Sequence, residues 1–193
     1  MEWNKLQAER LAVITDLCSR APGGSFGRTA LMKLCYFLQV VKGVPLEYRF
    51  TLYAYGPFDS NVLADLGTAE SLGALKSTVI YHSVGYGYDI QKAERGDAAL
   101  ARGADFLAEH RVALDWVTAE FGTLTSANLE LESTIVFADR EAFRNSETQT
   151  LEELARRVRE IKPHFQMDSI REHAIRLCDK GLLRCAKPAT ITA

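Results

Sequence analysis

The sequence predicts an α+β fold that is mostly α. Three observations carry this. Apolar residues recur at helical spacing through most of the chain. One stretch, Leu75 to Gln91, instead reads as two short β-prone runs with a turn between them. Glycine and proline cut the remainder into segments of helical length. The order helix, helix, helix, hairpin predicts a winged-helix-like core with a short β-hairpin over residues 1–95. A helical C-terminal half, 96–193, is expected to pack on it, since no linker or repeat separates the two.

Taken in order, Leu6, Leu11, Val13, Ile14, Leu17 and Cys18 predict a helix over 4–20. Ala21-Pro22-Gly23-Gly24 stops it. In the next helix Leu31, Leu34, Cys35, Phe37, Leu38 and Val41 cover more than one face, which predicts the core helix. Gly43 ends it, and Pro45 prevents its resumption. Leu46 to Ala54 alternates loosely, as a strand or extended connector does, and Tyr55-Gly56-Pro57 makes a turn. Asp59 or Ser60 can cap the following helix, which turns Val62, Leu63, Leu66 and Ala69 inward. Leu75–Ser83 and Tyr86–Gln91 predict a hairpin around Val84-Gly85.

The second half reads as helices throughout. Asp97 caps a long one to Phe121, and Ser126 opens another to Asp139. Thr150-Leu151-Glu152-Glu153 is a capping box that starts a third, closed by Lys162-Pro163. Asp168 or Ser169 begins the last, which Gly181 ends before a frayed tail.

Composition sets bounds on function. A hydrophobic fraction of 47% with 25% charged residues over 193 residues is that of a globular protein able to fold without a metal or disulfide staple. The net charge of −2 gives no global footprint for nucleic acid or an anionic membrane. Residues 1–138 hold 12 Lys and Arg against 16 Asp and Glu, whereas residues 139–193 hold 11 against 9. Any basic patch is therefore expected near the C-terminus. The four cysteines, Cys18, Cys35, Cys178 and Cys185, form no CxxC pair. No apolar run approaches the roughly 20 residues of a membrane span, and Met1-Glu2-Trp3-Asn4-Lys5 opens no apolar signal core. A cytoplasmic protein with reduced thiols is the expectation.

Leu31-Met32-Lys33-Leu34-Cys35-Tyr36-Phe37-Leu38, then Leu46, then Tyr55-Gly56-Pro57-Phe58 with Leu63 and Leu66, resembles the YwgA-like and Panacea group of bacterial proteins, which includes SocA-like antitoxins. The carboxy-terminal domain of DarG-type antitoxins is similar over the same span. The likeness covers residues 28–92 and is loose beyond them. It implies a winged-helix-like α+β fold and, as in several relatives, a role in toxin–antitoxin systems or phage defence. It supplies no catalytic residues.

From the residues, a helix in the position of a DNA-recognition helix needs Arg, Lys, Asn or Gln toward base edges and cations at the flanking phosphates. No Lys or Arg occurs between Phe50 and Leu75, while Asp59, Asp65 and Glu70 do. An acidic outer face repels a polyanion but suits a basic cleft on a protein. The expected function is a non-enzymatic protein-binding module, antitoxin-like or phage-defence-associated, that engages a toxin-like partner through Tyr55, Gly56, Pro57, Phe58, Asp59, Asp65 and Glu70. The bland alternative makes those carboxylates a solvated face.

A second reading is a DNA-binding regulator using the hairpin and the basic C-terminal helices. Its contacts would be Lys76, Tyr86, Tyr88, Lys92, Arg156, Arg157 and Arg159, with Tyr81 and His82 in the same aromatic set. Against it, hairpin tyrosines commonly form cross-strand pairs that pack on a helix, and Glu152, Glu153, Glu160 and Glu172 stand at pairing distance from the arginines. A third reading is a small nucleic-acid-processing enzyme. The loop Gly23–Thr29 precedes a helix N-terminus but lacks the lysine and spacing of a phosphate loop, and His82, His110, His164 and His173 form no metal-binding pattern. No cofactor and no metal are expected.

Overall fold

The computed structural model of the chain describes residues 4–82, 85–184 and 186–187. The fold is α+β and mostly α. In order its elements are α1 (Lys5–Ser19), α2 (Arg28–Val40), β1 (Thr51–Tyr53), β2 (Gly56–Phe58), α3 (Ser60–Ser71), β3 (Leu75–His82) and β4 (Gly85–Lys92). Then come α4 (Gly96–Arg102), α5 (Ala104–Glu109), α6 (Arg111–Phe121), α7 (Ser126–Arg144), β5 (Gln149–Thr150), α8 (Leu151–Ile161), α9 (Met167–Asp179) and β6 (Ala186–Lys187). The expected turn residue Val84, Cys185 and the tail from residue 188 lie outside the described residues.

The chain divides into two compact units. Residues 1–51 and 58–126 form the first, and residues 52–57 and 127–193 the second. Residues 96–126, which the sequence places with the C-terminal half, thus belong to the first unit. The reason is packing: α4 and α5 lie on α1, and α6 lies on α2.

In the first unit α2 is the core helix, buried from Ala30 to Leu38. Phe37 stacks on Phe121 with ring centroids 3.8 Å apart, and Trp116 meets Phe121 edge-on. Each such side chain taken out of water contributes roughly 1.5–3 kcal/mol. The predicted helix over 97–121 is instead broken into α4, α5 and α6. At the first break a Cβ on Gly103 would stand 2.4 Å from the Cβ of Ala12, so the missing side chain is what lets this corner settle on α1. The predicted strand over 46–54 is extended but pairs only at Thr51–Tyr53.

β3 and β4 pair antiparallel in a register that runs from Leu75 opposite Lys92 to His82 opposite Gly85. Leu75 and Ile90 anchor the base of this hairpin in the core. The loop before α2 adds a bridge: Phe26 and Ile90 exchange backbone hydrogen bonds of 3.0 and 2.9 Å.

The second unit is built on α7, which is buried along most of its length with charged residues inside. Glu132, fully buried, accepts from Arg176 at 2.6 and 2.7 Å and lies 2.7 Å from His173 Nδ1. Asp139 accepts from Arg140 and from the backbone N–H of Arg184, each at 2.7 Å. Each buried carboxylate therefore meets a cation, the condition on which burying a charge is tolerated. α8 begins at the expected capping box, in which Thr150 Oγ1 accepts from Glu153 N at 3.2 Å and the Glu153 carboxylate accepts from Thr150 N at 2.7 Å. β5 and β6 pair in parallel.

Candidate functional site

The acidic outer face expected on α3 does not form. Asp59 is the N-cap of the helix and is 5% exposed. Its Oδ1 accepts from Asn61 N at 2.8 Å and its Oδ2 from the backbone N–H of Arg49. Asp65 is 6% exposed and accepts the Tyr48 hydroxyl at 2.9 Å. The Arg10 guanidinium lies 3.9 Å from Asp65 and stacks 4.3 Å above the Tyr48 ring, while its Nε donates to Leu46 O at 2.6 Å. Burial pushes the Asp65 carboxyl above its ordinary value, against the opposing pull of the Tyr48 hydrogen bond and of Arg10. Glu70 is half-buried and accepts from Ser77 Oγ. The exposed side of α3 presents Ser60, Asn61, Leu63, Ala64, Gly67 and Ser71, none of them charged. Capping turns Asp59 inward, and the tyrosine contact does the same for Asp65.

The Tyr-Gly-Pro turn belongs to the second unit and is a structural clasp. Gly56, at φ 83°, and Pro57 are buried. A Cβ on Gly56 would stand 3.0 Å from Thr134 Oγ1 and 3.2 Å from Ser133 Oγ on α7. Lys162, 3% exposed, donates to the carbonyls of Tyr53 and Ala54 and lies 2.8 Å from the Glu130 carboxylate. Of the seven expected partner-binding residues only Tyr55 stands largely in solvent, at 69% exposure; Phe58 is half-buried. Tyr53, which the sequence did not single out, is exposed beside it.

The β3–β4 hairpin behaves otherwise. Register places Val79 opposite Tyr88 and Tyr81 opposite Tyr86, so all four side chains share one face. That face begins at the buried Leu75 and Ile90 and runs outward into water. Val79 is 45%, Tyr81 82% and Tyr86 65% exposed. Tyr81 and Tyr86 thus stay exposed and face each other across the strands, and Tyr86 meets the Tyr88 ring edge-on at 5.8 Å. The Arg28 guanidinium covers Tyr88 at 3.5 Å. Arg28, Thr29, Tyr86, Tyr88 and Asp89 line a cleft of about 470 Å³ at the start of α2. The Asp89 carboxylate in that cleft, which accepts from Ser25 Oγ at 2.9 Å, opposes an anion there.

The cations proposed for nucleic acid are largely engaged. Lys92 pairs with Asp97 at 2.6 Å, Arg156 with Glu152 at 3.6 Å and Arg157 with Glu147 at 2.9 Å. Arg159 donates to the carbonyl of Phe165. Lys76 is exposed, at a strand position that alternates to the opposite face from the tyrosines. Among the described residues no group of three or more His, Cys, Asp and Glu is arranged to hold a metal ion, and no helix is long and apolar enough to cross a membrane.

No family model matches the chain, and no curated protein matches it.

Proposed function

We propose that the chain is a non-enzymatic protein-binding module, antitoxin-like or associated with phage defence, in keeping with its resemblance over residues 28–92 to the YwgA-like and Panacea group. The partner-binding surface in this reading is the hairpin face of Val79, Tyr81 and Tyr86, in place of the acidic helix. One observation carries it: an aromatic sheet face that starts in the core continues into water, with Val79, Tyr81 and Tyr86 exposed and no helix over them among the described residues. Large rigid side chains of this kind anchor protein interfaces, because they bury much area while freezing few torsions. The ion pairs of Lys92, Arg156 and Arg157 support this reading over the DNA-binding regulator, since a cation held by a carboxylate neutralises phosphate poorly.

The test is affinity for the product of the neighbouring gene. Wild-type chain is expected to bind it, and Tyr81→Ser/Tyr86→Ser to bind at least about tenfold more weakly, a loss of about 1.4 kcal/mol. Undiminished affinity in that variant sinks the reading. So does retention of the wild type on double-stranded DNA at physiological salt with a steep salt slope, which favours the regulator.

A further inference from the structure

We infer that β3 is a pairing edge for a second copy of this chain, giving a two-fold dimer through an antiparallel β3–β3 junction. Phe26 takes both backbone groups of Ile90 on the side away from β3. In an antiparallel ladder, hydrogen-bonded and non-bonded pairs alternate, so Ser77 opposite Ile90 is a non-bonded pair. Ser77, Val79 and Tyr81 therefore direct their N–H and C=O groups away from β4. Among the described residues no strand pairs with that side.

Proteins protect such an edge with charge, proline, a bulge or a covering element. Residues 77–81, Ser-Thr-Val-Ile-Tyr, have no charge, no proline and no glycine, and their composition favours strand pairing. At the exposed Thr78, Val79 and Tyr81 the edge stands in water.

A second copy is the occupant this strand fits. Centring the two-fold on Val79 sets Val79 on Val79 of the other copy and Ser77 on Tyr81, each pair exchanging both N–H···O bonds. The only formal charge on β3, Lys76, then falls opposite position 82 and not opposite its own copy. The assembly closes after one step, because the outer side of β4 is already bridged at Ile90 by Phe26. The aromatic face is left uncovered and doubled, so this inference goes beyond the proposed partner surface without competing for it.

The experiment uses the full chain carrying Cys178→Ser and Cys185→Ser. The remaining Cys18 and Cys35 are buried, and burial pushes the Cys18 thiol up to about 12 and raises that of Cys35, so neither competes for oxidation. Sedimentation from about 1 to about 100 μM, the range in which a small interface associates, is expected to move from the 21.5 kDa monomer to twice that mass. Added Val79→Cys is expected to give a disulfide-linked dimer on mild oxidation, since directly opposed strand residues lie within disulfide reach. Thr78→Cys is expected to give none. Val79→Pro removes an outward N–H without touching the β3–β4 ladder and is expected to hold the chain monomeric with its circular dichroism unchanged. A monomer at every concentration overturns the inference, as does a dimer that Val79→Cys fails to link. Either outcome with partner affinity intact leaves the proposed function standing.

Discussion

The β1–β2 turn and the β3–β4 hairpin both set tyrosines beside glycine, yet the molecule uses them in opposite ways. At residues 53–57 the backbone is the buried part: Gly56 lies against α7 and Lys162 grips two carbonyls, while Tyr53 and Tyr55 face water. At β3–β4 the hairpin is held at its base, by Leu75, Ile90 and the Phe26 bridge, and the distal side chains carry the apolar surface outward. The first arrangement fixes residues 53–57 within the second unit. The second leaves a face available. Tyrosine content alone does not tell a clasp from a contact surface; the partners of the intervening backbone do.

The clasp should be the more fragile of the two. Lys162→Met leaves Glu130, 7% exposed, without its nearest cation and strips a donor from the Tyr53 and Ala54 carbonyls. Removing one partner of a buried pair costs about 3–5 kcal/mol, and urea denaturation should show a loss of that order. A loss below about 1 kcal/mol would mean that Glu130 is adequately solvated and that the clasp is incidental.

Gly56→Ala is expected to follow, at about 2 kcal/mol. It places a side chain at φ 83° and a Cβ 3.0 Å from Thr134 Oγ1. Making the same change in a Thr134→Ala background, which removes the hydroxyl that the new Cβ would crowd, and comparing it with Thr134→Ala alone tests whether steric contact or backbone strain dominates. Strain alone predicts no recovery.

The first unit offers a pH test of why α3 lacks an acidic face. A carboxyl raised by burial binds its proton more tightly in the folded chain than in the unfolded one. Its stabilising contribution is therefore present below the unfolded value and is lost as pH rises through the folded value. Asp16, also raised by burial against Arg20, has the same sign. Asp65→Asn should remove one such contribution, so wild type minus variant stability should fall as pH rises above the ordinary carboxylate value of about 4. Once the carboxyl has lost its proton, the variant should match or exceed wild type. The opposite slope would mean that Arg10 outweighs burial and that Asp65 is a conventional ion pair.

That aspartate also shows how much was legible in the sequence. Val62, Leu66 and Ala69 define the inner stripe of α3, and Asp65 sits between them at helical spacing, on the same face. Helical spacing predicts Val62, Leu63, Leu66 and Ala69 inward, whereas charge alone places Asp65 outward; the structure exposes Leu63 and buries Asp65. Asp59 reads from the sequence both as a cap and as part of an acidic surface, and the first excludes the second because a capping carboxylate has its oxygens committed. The core helix Ala30–Leu38 and the capping box at Thr150 were legible because each depends on residues within four positions. The break at Gly103 was not, since it is set by Ala12, and the buried carboxylates of α7 find Lys162, His173, Arg176 and Arg184 far along the chain. Exposure of Tyr81 and Tyr86 depends on which elements stop short of the hairpin tip, and local pattern carries no trace of that.

The smallest effect separates the regions most sharply. Tyr81→Ser should change stability by no more than about 0.5 kcal/mol, because at 82% exposure the ring has little packing to lose. Tyr55→Ser should be equally mild at 69% exposure, although it adjoins Gly56, where the smaller change to alanine costs several times more. Thermal denaturation of the three variants side by side is sufficient. If Tyr81→Ser costs more than about 1 kcal/mol, the ring is packed in solution and the hairpin face is part of the fold instead of a surface for a partner. If it is neutral while partner affinity falls, the side chain serves binding and not folding. That is the reverse of Gly56, whose role is complete once the chain has turned.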